Sequence, residues 1–155
     1  MQKISYNIFL ILLFMSLNSC NKTTSEKIIF ADNVVVAHRG AWKSNSLPQN
    51  SIASLKQAIT LGCTGSEFDV RMTSDSVLIV THDGEYQGLE IEESTYAELS
   101  KFKLSNGEVL PTLKEYINAG IQNNTTTGLV CEIKPSKIEG RDIVIAENVL
   151  KLVKE

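Results

Sequence analysis

The chain has 155 residues, of which 43% are hydrophobic and 21% are charged. This balance is typical of a globular protein and argues against a largely disordered chain. The formal net charge of −3 at pH 7 argues against a nucleic-acid-binding protein.

The first twenty residues form a segment distinct from the rest of the chain. Lys3 gives it a positively charged start, and residues 8–15 are continuously apolar. This apolar run is too short to span a bilayer, which takes about 20 residues, and the pattern is typical of an export signal. The segment ends in LNSC, which resembles the lipobox of bacterial lipoproteins and implies that Cys20 carries a lipid anchor. The alternative is an ordinary secretory signal that is cleaved nearby.

We expect three parts in the chain, namely a signal in residues 1–20, a polar tether in residues 21–32 and a folded domain in residues 33–155. The expected localisation is that of an exported lipoprotein, anchored to a membrane on its periplasmic or cell-surface side. Export would allow the two remaining cysteines, Cys63 and Cys131, to form a disulfide. Both lie in apolar surroundings, so two small buried thiols are the favoured interpretation.

The domain alternates between strand and helix patterns. Short apolar or alternating runs predict strands at residues 34–37, 66–73, 77–83 and 128–135. Helical spacing and capping sequences predict helices at residues 50–62, from 95, from 112 and at 140–155. Such alternation indicates an α/β protein with a mainly parallel sheet. In folds of this class the chemistry gathers at the carboxyl ends of the strands.

Some details of the connections and helices are also predicted. Residues 84–93 form a polar loop. Asn50 is the predicted N-cap of the first helix, and Gly62 ends that helix. The last helix has a side formed by Ile143, Ala146, Leu150 and Val153.

The chain has two histidines, and each follows an apolar strand. His38 comes after VVVA and precedes Arg39, while His82 comes after LIVT and precedes Asp83. A single histidine at a strand end is more often structural than catalytic. Two histidines in this position, each next to a charged residue, favour a functional role. The His38–Arg39 pair in particular suggests an anionic ligand at the end of the strand.

Two pairs of charged residues share strand faces. Glu67 and Asp69 are two residues apart and therefore face the same side of their strand. Two carboxylates so close together repel each other, and Ca²⁺ or Mg²⁺, which prefer oxygen ligands, would relieve that repulsion. Glu132 and Lys134 repeat the spacing and could add a third carboxylate and an anion contact. The alternatives are a solvent-facing acidic pair and a surface ion pair.

The predicted strands 66–73 and 77–83 are joined by only a few residues. A parallel crossover needs a dozen or more residues, so these strands are predicted to form an antiparallel hairpin. The turn between them then places His82 opposite residue 68 or 69. We therefore expect His82 beside the Glu67–Asp69 pair.

Together these residues suit the cleavage of a phosphodiester. A carboxylate-bound metal and nearby cations form a site for a phosphate group. The metal and Arg39 would stabilise the charge that develops on the phosphoryl oxygens. One histidine would activate the nucleophile, and the other would protonate the leaving oxygen.

Six blocks of the sequence resemble, in order and spacing, the glycerophosphodiester phosphodiesterase family. The blocks are AHRG, LPQNSIASLKQAITLG, EFDVRMTSD, VTHD, LPTLKEYI and CEIKP, and the likeness as a whole runs from about Val34 to Pro135. The resemblance implies a (β/α)₈ barrel and a divalent metal, Ca²⁺ or Mg²⁺. It also implies hydrolysis of glycerophosphodiesters to glycerol 3-phosphate and an alcohol, with a small-molecule substrate as the partner.

The matching positions imply roles for individual residues. By this resemblance the acid/base pair is His38 and His82, the phosphate contacts are Arg39 and Lys134, and the metal ligands are Glu67, Asp69 and Glu132. The resemblance further implies that a substrate hydroxyl attacks first and forms a cyclic phosphate, which water then opens.

The sequence departs from the family in two places and in length. Gln49 stands where the family has a glutamate in its Pro-Glu-Asn motif, and the loop HDGEYQGLEIEE lacks the arginine that family members often carry there. A complete barrel takes about 250 residues, and the sequence after the signal amounts to about half of that. We therefore expect an N-terminal fragment or a truncated reading frame.

Three alternatives to this interpretation remain open. One is a related lipid phosphodiesterase of the phospholipase C or D type, which shares the use of two histidines and a metal. Another is a non-catalytic lipoprotein remnant that binds metal or phosphate, or nothing. The third is an unrelated α/β surface domain.

Overall fold

The computed structural model describes residue 29 and residues 32–154 of the chain. The predicted signal, Cys20 and most of the predicted tether therefore lie outside the described residues. Within the described part, no helix is both long and apolar enough to cross a membrane.

The domain contains six strands and four α-helices in the described residues. The strands are β1 Asn33–Ala37, β2 Cys63–Met72, β3 Leu78–Val80, β4 Glu85–Tyr86, β5 Leu89–Glu90 and β6 Gly128–Ile133. The helices are α1 Ile52–Thr60, α2 Tyr96–Leu99, α3 Leu113–Ile121 and α4 Arg141–Val153. A short 3₁₀ helix, Lys43–Asn45, lies between β1 and α1.

Strand β2 is the centre of the main sheet. It pairs in parallel with β1 on one side and with β6 on the other, and it pairs antiparallel with β3 near its carboxyl end. Because β2 has neighbours on both edges and helices over one face, most of its residues are buried. This arrangement confirms the predicted α/β class with a mainly parallel sheet.

The predicted hairpin of β2 and β3 is also confirmed. Val70 pairs with Val80, which places residue 82 opposite residue 68. The antiparallel contact continues past the end of β3, since the Thr81 amide donates to the Asp69 carbonyl at 3.0 Å. The short connection between the two strands is therefore joined to an antiparallel pair, as its length predicts.

The main core lies between the sheet and helices α1, α3 and α4. Phe68, Val70 and Met72 project from one face of β2 because alternate residues of a strand share a face. The ring of Phe68 lies 4.7 Å from that of Tyr116 on α3, between the ring centroids. The opposite face of β2 is thereby left for the charged residues Glu67 and Asp69.

A second, smaller core holds the segment between β3 and α3. Its buried members are Ile79, Ile91, Leu99 and Leu110. The region predicted as a polar loop includes the two-stranded hairpin of β4 and β5. Gln87 and Gly88 have φ values of 54° and 79°, and a tight turn with two positive φ values is the kind that joins such short strands.

Several local predictions were wrong in detail. The N-cap of α1 is Ser51, whose hydroxyl accepts a hydrogen bond from the Ser54 amide, and not Asn50. The side of α4 that packs on the sheet carries Ile145 and Val149, whereas three members of the side singled out in the sequence are exposed. These three are Ile143, Leu150 and Val153. The helix is apolar on two sides, so its periodicity alone does not decide which one is buried.

The two cysteines of the domain are free thiols. Cys63 is buried, as expected for a small apolar residue. Cys131 is exposed, contrary to the prediction, because it lies on β6, which is an edge strand in the described part of the sheet.

Candidate active site

The charged residues singled out in the sequence meet at the carboxyl ends of the parallel strands. His38 and Arg39 directly follow β1, and Lys134 directly follows β6. Within the sheet, Asp69 on β2 is paired in register with Glu132 on β6. The parallel pairing therefore brings together groups that are far apart in the sequence.

Three carboxylates form a compact cluster. Glu67, Asp69 and Glu132 each offer one oxygen, and these oxygens lie within 4.8 Å of one another. Glu67 Oε1 and Asp69 Oδ1 are buried and accept no hydrogen bond in the described structure. A buried charged oxygen without a partner is costly, and a hard divalent cation would satisfy both oxygens. The donor set therefore fits Ca²⁺ or Mg²⁺.

Two cations lie against the same cluster. Arg39 Nε is 3.5 Å from Asp69 Oδ2, and Lys134 Nζ is 3.5 Å from Asp69 Oδ1. Lys134 Nζ also lies 2.7 Å from Glu132 Oε1. This hydrogen bond, together with the charge of Asp69, raises the pKa of Lys134, although burial opposes the shift. The lysine is therefore a cation throughout the neutral pH range.

The loop after β1 contacts strand β2, the segment before α1 and helix α1 itself. The Arg39 amide donates to Glu67 Oε2 at 2.8 Å, and Arg39 Nη1 donates to Gln49 Oε1 at 2.7 Å. Gly40 has a φ of 79°, and a Cβ atom there would lie 2.4 Å from the Ser54 hydroxyl oxygen. The glycine of the AHRG block is thus required by a close approach between this loop and helix α1.

Asn50 is a site residue that the sequence reasoning assigned elsewhere. Its side-chain amide donates to Asp69 Oδ2 at 2.9 Å, and its Oδ1 accepts from the Asp69 amide at 3.2 Å. Ser51 and Asn50 are equally good N-caps by residue type, so the sequence alone does not choose between them. Because Ser51 caps the helix, the Asn50 side chain is available to hydrogen-bond Asp69.

The two histidines flank the cluster in different ways. His38 Nε2 lies 3.9 Å from Glu67 Oε2, and its side chain is 67% exposed. His82 Nδ1 lies 2.8 Å from Asp83 Oδ1, and its side chain is 34% exposed. In the described structure the His82 ring makes no hydrogen bond or ion pair with Glu67 or Asp69. Its backbone has the predicted position, and its side chain contacts Asp83.

Comparison with known proteins identifies the family to which this site belongs. Residues 38–155 match the profile of the Glycerophosphoryl diester phosphodiesterase family. The chain belongs to this family. A glycerophosphodiester phosphodiesterase from Caldanaerobacter subterraneus subsp. tengcongensis is 35% identical over 94 residues, which are 53% of this chain and 38% of the relative. The resemblance seen in the six sequence blocks is thereby confirmed.

Solved structures of the family have the same fold over the matched region. A glycerophosphodiester phosphodiesterase from Parabacteroides distasonis ATCC 8503 has a TM-score of 0.75 and 42% identity, covering 81% of this chain and 52% of that one. An Oleispira antarctica phosphodiesterase in complex with the product sn-glycerol-3-phosphate has a TM-score of 0.69 and 28% identity. That match covers 81% of this chain and 53% of the other. The chain therefore spans about half the length of these two relatives.

Proposed function

We propose that this site hydrolyses glycerophosphodiesters to glycerol 3-phosphate and an alcohol, with a divalent cation held by Glu67, Asp69 and Glu132. The observation that carries the proposal is the carboxylate cluster, in which two buried oxygens lack hydrogen bonds while two cations lie alongside. The Oleispira relative with bound sn-glycerol-3-phosphate supports the choice of substrate.

The charge of the cluster explains why a cation and a phosphate would bind together. Three carboxylates and the two cations Arg39 and Lys134 leave a net charge of −1. A phosphodiester is itself an anion, so this arrangement alone does not favour it. A bound divalent cation changes the net charge to +1 and stabilises the charge that develops on the phosphoryl oxygens.

The remaining steps are assigned to residues of this chain. Arg39 and Lys134 hold the phosphate through charge-assisted hydrogen bonds. One of the two histidines, His38 or His82, accepts the proton of an attacking substrate hydroxyl, while the other donates a proton to the leaving alcohol oxygen. A cyclic phosphate and the free alcohol result. Water then opens the cyclic phosphate with the two proton transfers reversed, which yields glycerol 3-phosphate and restores both histidines.

We extend the proposal to architecture and location. Strands β1, β2 and β6, each followed by a helix, act as three successive units of a (β/α)₈ barrel with the site at its carboxyl-terminal face, as in other enzymes of that class. The protein is exported and held at a membrane by a lipid on Cys20, so that hydrolysis takes place outside the cytoplasm. The LNSC sequence supports the anchor.

The proposal is tested by glycerol 3-phosphate release from glycerophosphocholine and glycerophosphoethanolamine. We expect release by the 155-residue chain with Ca²⁺ or Mg²⁺, loss of release with a chelator, and recovery when the metal is returned. His38→Ala and His82→Ala should each lower kcat by about 10²–10⁴-fold, the usual contribution of an acid or base. Lys56→Ala, on the exposed side of α1, is the matched control. Turnover that survives complete metal removal would contradict the proposal.

A further inference from the structure

Asn50 is a polar residue that contacts a proposed metal ligand through both its side-chain oxygen and its side-chain nitrogen. It is buried, with 3% of its surface exposed, and it makes two hydrogen bonds to a single residue, Asp69. One bond goes to the carboxylate and the other comes from the backbone amide of the same residue. We infer that Asn50 is a positioning residue that holds the Asp69 carboxylate in the one orientation that presents Oδ1 to the metal. This inference rests on the proposed function, because it takes Asp69 to be a metal ligand.

The two carboxylate oxygens of Asp69 have different surroundings. Oδ2 accepts the hydrogen bond from Asn50 at 2.9 Å and lies 3.5 Å from Arg39 Nε. Oδ1 is buried and accepts no hydrogen bond in the described structure, and the Lys134 ammonium group lies 3.5 Å from it. The asparagine therefore occupies one oxygen and leaves the other available for a cation.

The orientation of the Asn50 amide is itself fixed. Its oxygen accepts from the Asp69 backbone N–H, so its NH₂ group must face the carboxylate. A reversed amide would place oxygen against the carboxylate and NH₂ against the backbone N–H, and both contacts would be repulsive. The pair of bonds therefore resists rotation of the Asp69 side chain as well.

The backbone at this position restricts the choice of residue. Asn50 has a φ of 56°, in the left-handed region that few residues other than glycine and asparagine adopt readily. The backbone N–H of Asn50 donates to the Arg39 carbonyl at 3.1 Å, which connects this position to the loop that carries the proposed phosphate contact. Glycine would keep this backbone but lose the amide side chain. Asparagine provides both.

The matched experiment uses two substitutions of asparagine by glycine. Asn50→Gly is compatible with the left-handed backbone and removes the buried side chain that makes the two hydrogen bonds to Asp69. Asn123→Gly changes an exposed asparagine with a φ of 52° in the connection between α3 and β6, and it serves as the control. Binding of Ca²⁺ and of Mg²⁺ to the 155-residue chain is measured by titration calorimetry, without substrate.

We expect Asn50→Gly to weaken metal binding by about 10–100-fold, the usual effect of removing a residue that orients a metal ligand, while Asn123→Gly stays within about twofold of the unsubstituted protein. Raising the metal concentration should restore the kcat of Asn50→Gly, which a damaged fold would not allow. Equal metal affinity in Asn50→Gly and the unsubstituted protein overturns the inference and leaves the proposed function standing. Absence of metal binding by the unsubstituted protein overturns both.

A second measurement needs no substitution. In the unsubstituted protein, hydrogen exchange at the Asn50 side-chain amide reports its bond to Asp69 Oδ2 directly. We expect this amide to remain protected, or to become better protected, when Ca²⁺ is added, because the metal uses the other oxygen. Loss of protection on metal binding would show that the cation displaces Asn50 from Oδ2, and the inference would then be wrong.

Discussion

The glycine that follows His38 and Arg39 offers a stringent test of how the loop after β1 is packed. Gly40 has a φ of 79°, and a Cβ atom at this position would lie 2.4 Å from Ser54 Oγ and 2.7 Å from the Ser54 backbone carbonyl carbon. The hydroxyl could rotate away, but the backbone carbon belongs to helix α1 and cannot. Gly40→Ala therefore combines two penalties, a strained backbone and a steric clash.

Gly88 allows these two penalties to be separated. It has the same φ of 79°, but no atom lies within 4 Å of the Cβ that an alanine would add. Gly88→Ala should thus show the backbone penalty alone, about 1–2 kcal/mol for a non-glycine residue in the left-handed region. Gly40→Ala should add the cost of overpacking, about 1–3 kcal/mol. The expected total for Gly40→Ala is about 2–5 kcal/mol.

The assay is equilibrium unfolding in urea, with the metal concentration held constant because bound metal stabilises the folded state. With a slope of about 2 kcal/mol per molar urea, Gly88→Ala should lower the midpoint by about 0.5–1 M and Gly40→Ala by about 1–2.5 M. Gly40→Ala should also weaken metal binding, since the Gly40 amide donates to the Glu67 carbonyl at 3.2 Å. Equal midpoint losses in the two variants would refute the close packing of this loop on α1.

Three further substitutions give four expected outcomes. Lys134→Met should tighten metal binding by about tenfold, because it removes a like charge that lies against the same carboxylates. It should also weaken glycerol 3-phosphate binding, and titration calorimetry that shows both affinities falling would contradict this role. The hydrogen bond to Glu132 raises the pKa of Lys134, so the charged lysine stabilises the folded protein at neutral pH, and this contribution is lost as the pH rises through the raised pKa. The urea midpoints of Lys134→Met and the unsubstituted protein should therefore converge in alkaline solution. Gln49→Glu should raise KM several-fold with little change in kcat, since a carboxylate would partly neutralise Arg39; an unchanged KM would show that the phosphate does not depend on that charge. Cys20→Ala should move the exported protein from the membrane fraction to the soluble fraction, and retention in the membrane fraction would contradict a lipid anchor.

The sequence was sufficient to predict the carboxylate cluster because the relevant rules are geometric. Residues two apart on a strand share a face, which places Glu67 with Asp69. A connection of a few residues allows only an antiparallel hairpin, which fixes the backbone of His82. The spacing of Glu132 and Lys134 suggested a third carboxylate, whereas its position opposite Asp69 depends on strand order and register, which only the structure shows. None of these inferences depends on the details of side-chain packing.

The rest of the site depends on choices that the sequence leaves open. Both Asn50 and Ser51 are good N-caps, and only the contact of Asn50 with a buried carboxylate on a distant strand decides between them. Likewise, the ring of His82 can turn either to the cluster or to its neighbour Asp83, and in the structure it contacts Asp83 at 2.8 Å. A backbone position follows from topology, whereas a side-chain partner follows from local competition.

In helix α4 and strand β6, too, neighbouring elements decide which residues are buried. Helix α4 is apolar on two sides, and its contacts with β3 and β6 bury the side of Ile145 and Val149. Cys131 lies on strand β6, whose apolar sequence predicts burial, but β6 is at the edge of the described sheet and Cys131 is exposed. In both cases the hydrophobic pattern was recognised correctly, and the neighbours that determine its burial lie outside the segment itself.

Asp69 connects the stability of the loop to the chemistry of the site. Its buried carboxylate is contacted by Asn50 and Arg39 from the segment after β1 and by Lys134 from the end of β6, while its backbone carbonyl accepts from Thr81 beyond β3. A buried charge is tolerated only when it is well paired, so these contacts are needed for folding whether or not substrate is present. They also occupy Oδ2 and leave Oδ1 without a hydrogen bond. The interactions that make the buried aspartate tolerable are therefore the same ones that leave Oδ1 open to the proposed cation.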